Sequence, residues 1–302
     1  MSEPKLPPEL EREIFEIAAL ADRTSLVALL CVTHRVHHWI EPLQFRSLVV
    51  EDSNVMDAFR RARSAKPPDF FAARVRHVVL STPDETHDFE ELVKLCTGAT
   101  HLALAPNRSA KPYKLPVFLD AIRGIQRLAA SFNSGFPLDV YPTLESLPLQ
   151  RLSCLTHLEL FDRLSPGDPT LRDRNISFIC ALPALTHLAL NYRLDSATLQ
   201  KFLNGCRKLK ILCWIADERT RLERILRSMD GPLPMDARLV GTVYKKWDEA
   251  VFLPGVRTYW DVAEEFVLAK RRGLIGGISM RRYNPRSGSL IIRAQKEIFA
   301  TY

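Results

Sequence analysis

The hexapeptide Leu185-Thr186-His187-Leu188-Ala189-Leu190 is the feature that most restricts how this chain folds, because it recurs. Leu155-Thr156-His157-Leu158-Glu159-Leu160 and Ala99-Thr100-His101-Leu102-Ala103-Leu104 carry nearly the same letters. Weaker copies run from Val75 to Leu80, Ile125 to Ala130 and Leu209 to Trp214. The copies start at 75, 99, 125, 155, 185 and 209, so successive steps are 24, 26, 30, 30 and 24 residues. Stepping upstream in threes extends the pattern, as in Leu149, Leu152, Leu155, Leu158, Leu160 or Leu203, Cys206, Leu209, Leu212, Trp214. All five complete rows are apolar throughout, in a chain that is 46% apolar. The first copy fits only in part, with Asp69 and Ala72 upstream.

Two leucines spaced by two lie on one face of a short strand. The upstream apolar residues belong to a helix end and its turn. One helix–turn–strand unit cannot hide its apolar face alone, but units stacked in parallel share a continuous core. A period of 20 to 30 residues with an L-x-x-L-x-L core is the signature of a leucine-rich-repeat solenoid. The expected fold is therefore α/β, with parallel strands on a concave face and helices on a convex one. Ser47-Leu48-Val49-Val50 reads as an added strand ahead of the six copies, and Ala237 to Val243 as a last one.

The helices follow from caps and stripes. Expected spans are 53–66 (capped by Ser53), 86–95 (capped by Thr86), 116–123, 175–181, 196–204, 218–229 and 258–272. Phe161 to Arg174 is polar with two prolines and reads as a loop. In the last helix, Trp260, Ala263, Phe266, Val267 and Lys270 trace one stripe. Trp247 and Trp260 are expected to cover the open end of the sheet.

Residues 5–50 differ from the rest. Leu10, Ile14, Ile17, Ala18 and Ala21 form one helical stripe after prolines in the first turn. A second helix is expected over about 25–31, with Asp22 or Thr24 as cap. A third runs from about Thr33 to Ile40 or beyond, and Pro42 is expected to break or kink it. Leu6-Pro7-x-Glu9-Leu10, Ile14-Phe15, Leu26, Leu29, Val32 and Trp39-x-x-Pro42-Leu43-x-Phe45-Arg46 resemble an F-box. The likeness is greatest to the fungal F-box-like proteins in which a degenerate F-box precedes irregular leucine-rich repeats. One position departs: Val36 and His37 stand where the family carries a tryptophan, which here comes at Trp39. The resemblance implies a three-helix unit at 1–50 ahead of a solenoid at 51–272 with a C-terminal capping helix, and a basic, partly flexible tail at 273–302. It implies a substrate-recognition subunit of an SCF-type cullin–RING ubiquitin ligase. A Skp-type adaptor, and through it a cullin, would bind at Leu6, Pro7, Leu10, Ile14, Leu26 and Leu29. An unidentified protein target would bind the solenoid, with the chain a monomer inside a larger complex. The alternative is a repeat scaffold without a ligase role, its N-terminal unit serving only as a cap.

On the concave face the position before each L-x-L pair is His77, His101, Arg127, His157, His187 and Ile211. Four of the eight histidines would thus stand in one column. Neighbours in the face are Glu159, Phe161 and Asn191, and alanines between the leucines would leave room for a bound target. The candidate target-binding residues are His77, His101, Arg127, His157, Glu159, Phe161, His187 and Asn191. The plainer reading is that Thr-His-Leu is a solvated repeat consensus. Crowded imidazoles resist charging together, so binding there would depend on pH. A ladder presents ligands in a line, which argues against zinc.

No phosphate-cradling glycine loop, H-E-x-x-H or nucleophile elbow is present, so a non-catalytic protein without cofactor is expected. None of the six cysteines forms a C-x-x-C pair, and Cys96 and Cys206 occupy apolar repeat positions. The charged, proline-rich start lacks a signal-peptide core, and no run of eighteen apolar residues occurs. A cytoplasmic or nuclear protein with no membrane contact is expected. Residues 270–302 hold eight basic side chains against Glu297, which accounts for the whole formal charge of +7. Those clusters are short and lack interleaved aromatics, which argues for a solvated tail over a nucleic-acid site.

Overall fold

The structure is a computed structural model that describes residues 6–22, 25–81, 86–104, 115–130, 147, 149–161, 164, 168–192, 194–217, 221–222, 224, 233–243, 257–274, 282–283 and 290–291. Each L-x-L segment is a strand. They are β1 (Ser47–Val50), β2 (His77–Leu80), β3 (His101–Leu104), β4 (Arg127–Ala130), β5 (His157–Leu160), β6 (His187–Leu190) and β7 (Ile211–Ala216). With β8 (Leu239–Val243) they form one eight-stranded sheet in strict sequence order, every pair parallel. The arrangement is α/β and solenoid-like.

Helices fill the connections: α4 (Ser53–Ala65), α5 (Phe70–Arg74), α6 (Thr86–Leu95), α7 (Leu115–Ala121), α8 (Pro169–Cys180) and α9 (Ser196–Gly205), with a 3-10 turn at Leu149–Leu152 ahead of β5. Upstream lie α1 (Pro8–Ala21), α2 (Leu26–Leu30) and α3 (His34–Gln44). Downstream lie α10 (Tyr259–Arg271) and an antiparallel pair, Arg282–Tyr283 with Leu290–Ile291. Among the described residues no helix is long and apolar enough to cross a membrane. Most of the 218–229 helix and Trp247 lie outside the described residues.

Strand alternation divides the side chains as the repeat predicts. Val78, Leu80, Leu102, Leu104, Leu128, Leu158, Leu160, Leu188, Leu190, Leu212 and Trp214 enter the main core. There they meet Phe59, Phe71, Phe89, Leu92, Phe118, Ile179, Leu199 and Phe202 from the helices. Each fully buried leucine contributes about 1.5–3 kcal/mol. Among the described residues Trp214 buries its indole N–H with no hydrogen-bond acceptor, so here the ring's packing outweighs its polar group.

The turns into β2 through β7 have a second regularity. One carbonyl accepts two successive N–H groups of the next repeat. Arg76 O takes those of Thr100 and His101, Gln126 O those of Thr156 and His157, and Thr156 O those of Thr186 and His187. The threonine hydroxyls join in, donating to the same carbonyls at 3.4 Å from Thr100, 3.0 Å from Thr156 and 3.1 Å from Thr186. The recurrent threonine is thus a stitch between repeats.

Several expected boundaries shift for identifiable reasons. α8 begins at Pro169, six residues inside the span expected as loop, because Asp168 accepts from Thr170 N and Leu171 N and Pro169 occupies the first turn. Asp52, not Ser53, caps α4, accepting from Val55 N at 3.0 Å. Thr33 caps α3, which passes through Pro42 to Gln44. The proline sits in the last turn, where the one lost bond falls near the helix end. α5 fills the irregular first copy, and Phe71 from it is buried against Phe59 and Phe45.

A close approach fixes the turn before β3. Arg76 Nη1 donates to the carbonyls of Ala72, Val75 and Gly98, tying α5 to that turn. A Cβ on Gly98 would lie 2.0 Å from Ala72 O, whereas one on Gly124, in the corresponding turn of the next repeat, would meet nothing within 4 Å. Gly98→Ala is expected to cost about 2 kcal/mol or more in urea unfolding, and Gly124→Ala within about 0.5 kcal/mol. Equal losses would sink the steric account.

Candidate functional site

Two surfaces gather the residues singled out in the sequence. The first is the three-helix unit. Its own small core consists of Ala19, Leu26, Val36 and Ile40, with Phe15, Leu29, Leu30, Trp39 and Leu43 half-buried around it. Val36, at the position that departs from the F-box pattern, is thus a core residue, and Arg35 lies over the Trp39 ring. The α1 stripe points the other way. Leu10 is 48% exposed, Ile14 53% and Ile17 59%, and Leu6, Val27 and Val32 are exposed as well. Of the six residues expected to meet an adaptor, Leu6, Pro7, Leu10 and Ile14 are exposed. Leu26 is buried and Leu29 half-buried in the unit's own core, so those two belong to packing and not to an open face. Their apolar letters fit either role, and α2 is too short for its stripe to say which side is inside.

The second surface is the sheet face opposite the helices. The parallel register brings His77, His101, Arg127, His157 and His187 into one column. His77 and His101 meet edge to face at 4.4 Å, and His157 and His187 stack at 4.0 Å, 5° from parallel. Thr100, Thr156 and Thr186 hold Nδ1 of the following histidine at 2.8, 2.8 and 2.7 Å, and Ser47 does the same for His77 at 2.8 Å. The Thr-His pair is therefore a structural device as well as a repeat consensus.

This face is not the open groove expected of it. Val79, Ala103, Ala129, Glu159, Ala189, Cys213 and Val240, the middle column, are all buried. α10 lies against β7 and β8, and Tyr259, Trp260, Ala263, Phe266 and Val267 share one apolar cluster with that column. Trp260 thus covers the face of the sheet and not its end. Its ring stands edge-on to both His157 and His187, at 5.2 and 5.4 Å. Tyr259 donates to Glu159 Oε2 at 2.7 Å, and His187 Nε2 faces Glu264 Oε1 at 3.0 Å. Glu159 is only 2% exposed and His187 4%. Phe161 packs against the same cluster, and the Asn191 amide, turned so that its N–H₂ donates, reaches the carbonyls of Leu160 and Phe161. His77, His101, Arg127 and His157 remain half-exposed.

Sequence reasoning left out Tyr259 and Glu264, the anchors of α10. The available signal was β7, Ile211-Leu212-Cys213-Trp214-Ile215-Ala216, apolar at every position, which is the pattern of a strand buried on both faces.

The electrostatics follow from burial. Burial, with the neighbouring His77 and Arg127 charges, pushes His101 down to about 3. Burial, with His187 and Arg127, pushes His157 down to about 2. His187 is also lowered by burial, against the opposing pull of Glu264. A neutral His187 then donates from Nε2–H to Glu264, and its Nδ1 shares the single Thr186 hydroxyl proton with the Thr156 carbonyl. Tyr259 is raised, first by burial and then by the Glu159 charge, so it stays a donor.

No protein-family model matches the chain, and a search of curated proteins finds no significant match.

The histidines set an acid limit on stability. Above about pH 6.5 they are neutral in both states and contribute no pH dependence. Below it the unfolded chain takes up protons that folded His101 and His157 refuse, so stability falls as pH falls. Each adds a slope of at most about 1.4 kcal/mol per pH unit. A His101→Gln, His157→Gln variant is expected to show a shallower slope than wild type between about pH 6.5 and 4.5 in urea unfolding. An unchanged slope would remove these rings from the account.

Proposed function

We propose that the chain is a non-catalytic interaction protein, an F-box-like substrate receptor of a cullin–RING ubiquitin ligase. Its helical unit binds a Skp-type adaptor and its solenoid-like body binds the protein to be ubiquitinated. The observation that carries this reading is the outward apolar stripe Leu10, Ile14 and Ile17, with Leu6 exposed beside the start of the same helix. Apolar surface left over after a unit has filled its own core favours a partner that removes it from water. The repeat body supplies reach and orientation: held at a fixed distance from the adaptor, a target's lysines meet a ubiquitin-carrying enzyme elsewhere in the complex. Chemistry at this chain is not required.

The buried middle column and α10 narrow where a target docks. Glu159 and His187 are taken by the chain's own Tyr259 and Glu264, so the target meets the half-exposed His77, His101 and Arg127 side of the column. A second reading is a repeat scaffold whose helical unit is only a cap. The junction favours it: Phe45 packs edge-on against Phe70 and Phe71, and Lys66 pairs with Glu41 at 2.5 Å.

Titrating a purified Skp-type adaptor into the full chain separates the two. Saturable binding is expected, weakened at least about a hundredfold, roughly 3 kcal/mol, by Leu10→Asp with Ile14→Asp. Both sites are exposed, so circular dichroism and the unfolding midpoint should hold. A well-folded wild type that binds no adaptor would leave the scaffold reading in place.

A further inference from the structure

Two thiols that the sequence separates by 26 residues lie side by side, with Cys206 Sγ donating to Cys180 Sγ at 3.3 Å. Cys180 is the last residue of α8, and Cys206 follows the end of α9 in the next repeat. Cys180 is half-buried and Cys206 buried. The approach is built into the backbone: a Cβ on Gly205 would lie 2.7 Å from Cys180 Sγ, so only glycine there lets the end of α9 come this close. Arg238 braces the same turn, donating to the carbonyls of Leu203 at 2.8 Å and Leu209 at 3.5 Å.

We propose that Cys180 and Cys206 form a peroxide-reactive dithiol, Cys180 the attacking sulfur and Cys206 the resolving one, that closes to a disulfide joining two adjacent repeats. The division of roles follows from access and from the hydrogen bond. Cys180 has the solvent contact. The S–H of Cys206 holds the Cys180 thiol below its ordinary range, against burial that raises it. Cys206, as donor and under burial, is pushed up. Cys96 and Cys213 have no such partner: burial alone pushes Cys96 up to about 12, and burial with the Glu159 charge raises Cys213.

The steps balance with hydrogen peroxide as oxidant. The Cys180 thiolate attacks one peroxide oxygen, the O–O bond breaks, and the leaving hydroxide takes a proton to become water. Cys180 is then a sulfenic acid. The Cys206 sulfur attacks it, the S–S bond forms, and the departing hydroxyl leaves as a second water with the Cys206 proton. A disulfide of roughly 2.05 Å requires the sulfurs to close by about 1.2 Å. The site is independent of the adaptor surface, and the proposal does not rest on the function argued above.

The test treats the folded full chain with hydrogen peroxide, blocks remaining thiols with N-ethylmaleimide and maps the peptides. Expected is a cross-linked peptide pair containing Cys180 and Cys206, with two of the six thiols lost to alkylation. Cys206→Ala should give no cross-link and leave a sulfenic acid on Cys180 that dimedone traps. Cys180→Ser should leave Cys206 fully alkylatable after unfolding. Gly205→Ala should slow cross-linking, and prior unfolding in urea should abolish its selectivity. The proposal is overturned if both thiols survive peroxide while exposed Cys31 and Cys154 oxidise. It is equally overturned if wild-type Cys180 accumulates a dimedone adduct without the cross-link.

Discussion

Everything in this molecule depends on parallel strands stacked in register, stitched where one carbonyl of each repeat accepts two N–H groups of the next. Register turns a recurring letter into a column. Leucines become one continuous core, alanines line the middle row, and histidines form two close pairs, 4.4 and 4.0 Å apart, on either side of Arg127. A column also concentrates any cost. Rings this close cannot all carry charge, and the ladder persists because burial and the neighbouring Arg127 hold His101 and His157 neutral. The threonine before His101, His157 and His187 serves both needs, its hydroxyl within reach of the preceding repeat's carbonyl and of Nδ1.

All eight strands were legible in the sequence, as was the column, because the period reports which side chains share a face. What lies over a face is another matter. The L-x-L pattern fixes where Leu158 and Leu160 point, and nothing local in it says that α10, a hundred residues on, covers Glu159. The apolar run of β7 carried that information weakly. Boundaries were lost where polar letters serve as caps: Asp168-Pro169 reads as loop chemistry until the N–H groups it satisfies are counted. Leu26 and Ile14 are alike as letters, but one is core and the other surface, because α2 is too short for periodicity to resolve. The cysteine pair was invisible for a related reason. No C-x-x-C exists, and the two thiols meet only because adjacent repeats stack and Gly205 lets them.

The contact of α10 with the sheet combines an apolar body with polar anchors. Ala263, Phe266 and Val267 would allow the helix to slide, since apolar contact is non-directional. Glu159 is the exception in a middle column of small or apolar side chains, and a carboxylate so deeply buried requires a donor at a defined point. Tyr259 supplies it, and Trp260 beside it lies edge-on to two rings of the histidine column. A helix placed this way is held in position, because displacement would break the Tyr259 hydrogen bond to a buried carboxylate.

The two parts of the chain treat apolar surface in opposite ways. The repeat body hides one face of its sheet under helices and part of the other under α10. Its middle column is buried even where alanine alone fills it. The helical unit has fewer residues with which to build a core, and it fills that core with Val36, Ile40, Leu26 and Ala19 while leaving Leu10, Ile14 and Ile17 in water. Turning that stripe inward would not stabilise the unit, because its interior is already occupied. The surplus is relieved only from outside, and this asymmetry, more than any likeness of letters, is what supports the proposed partner surface on the N-terminal helices.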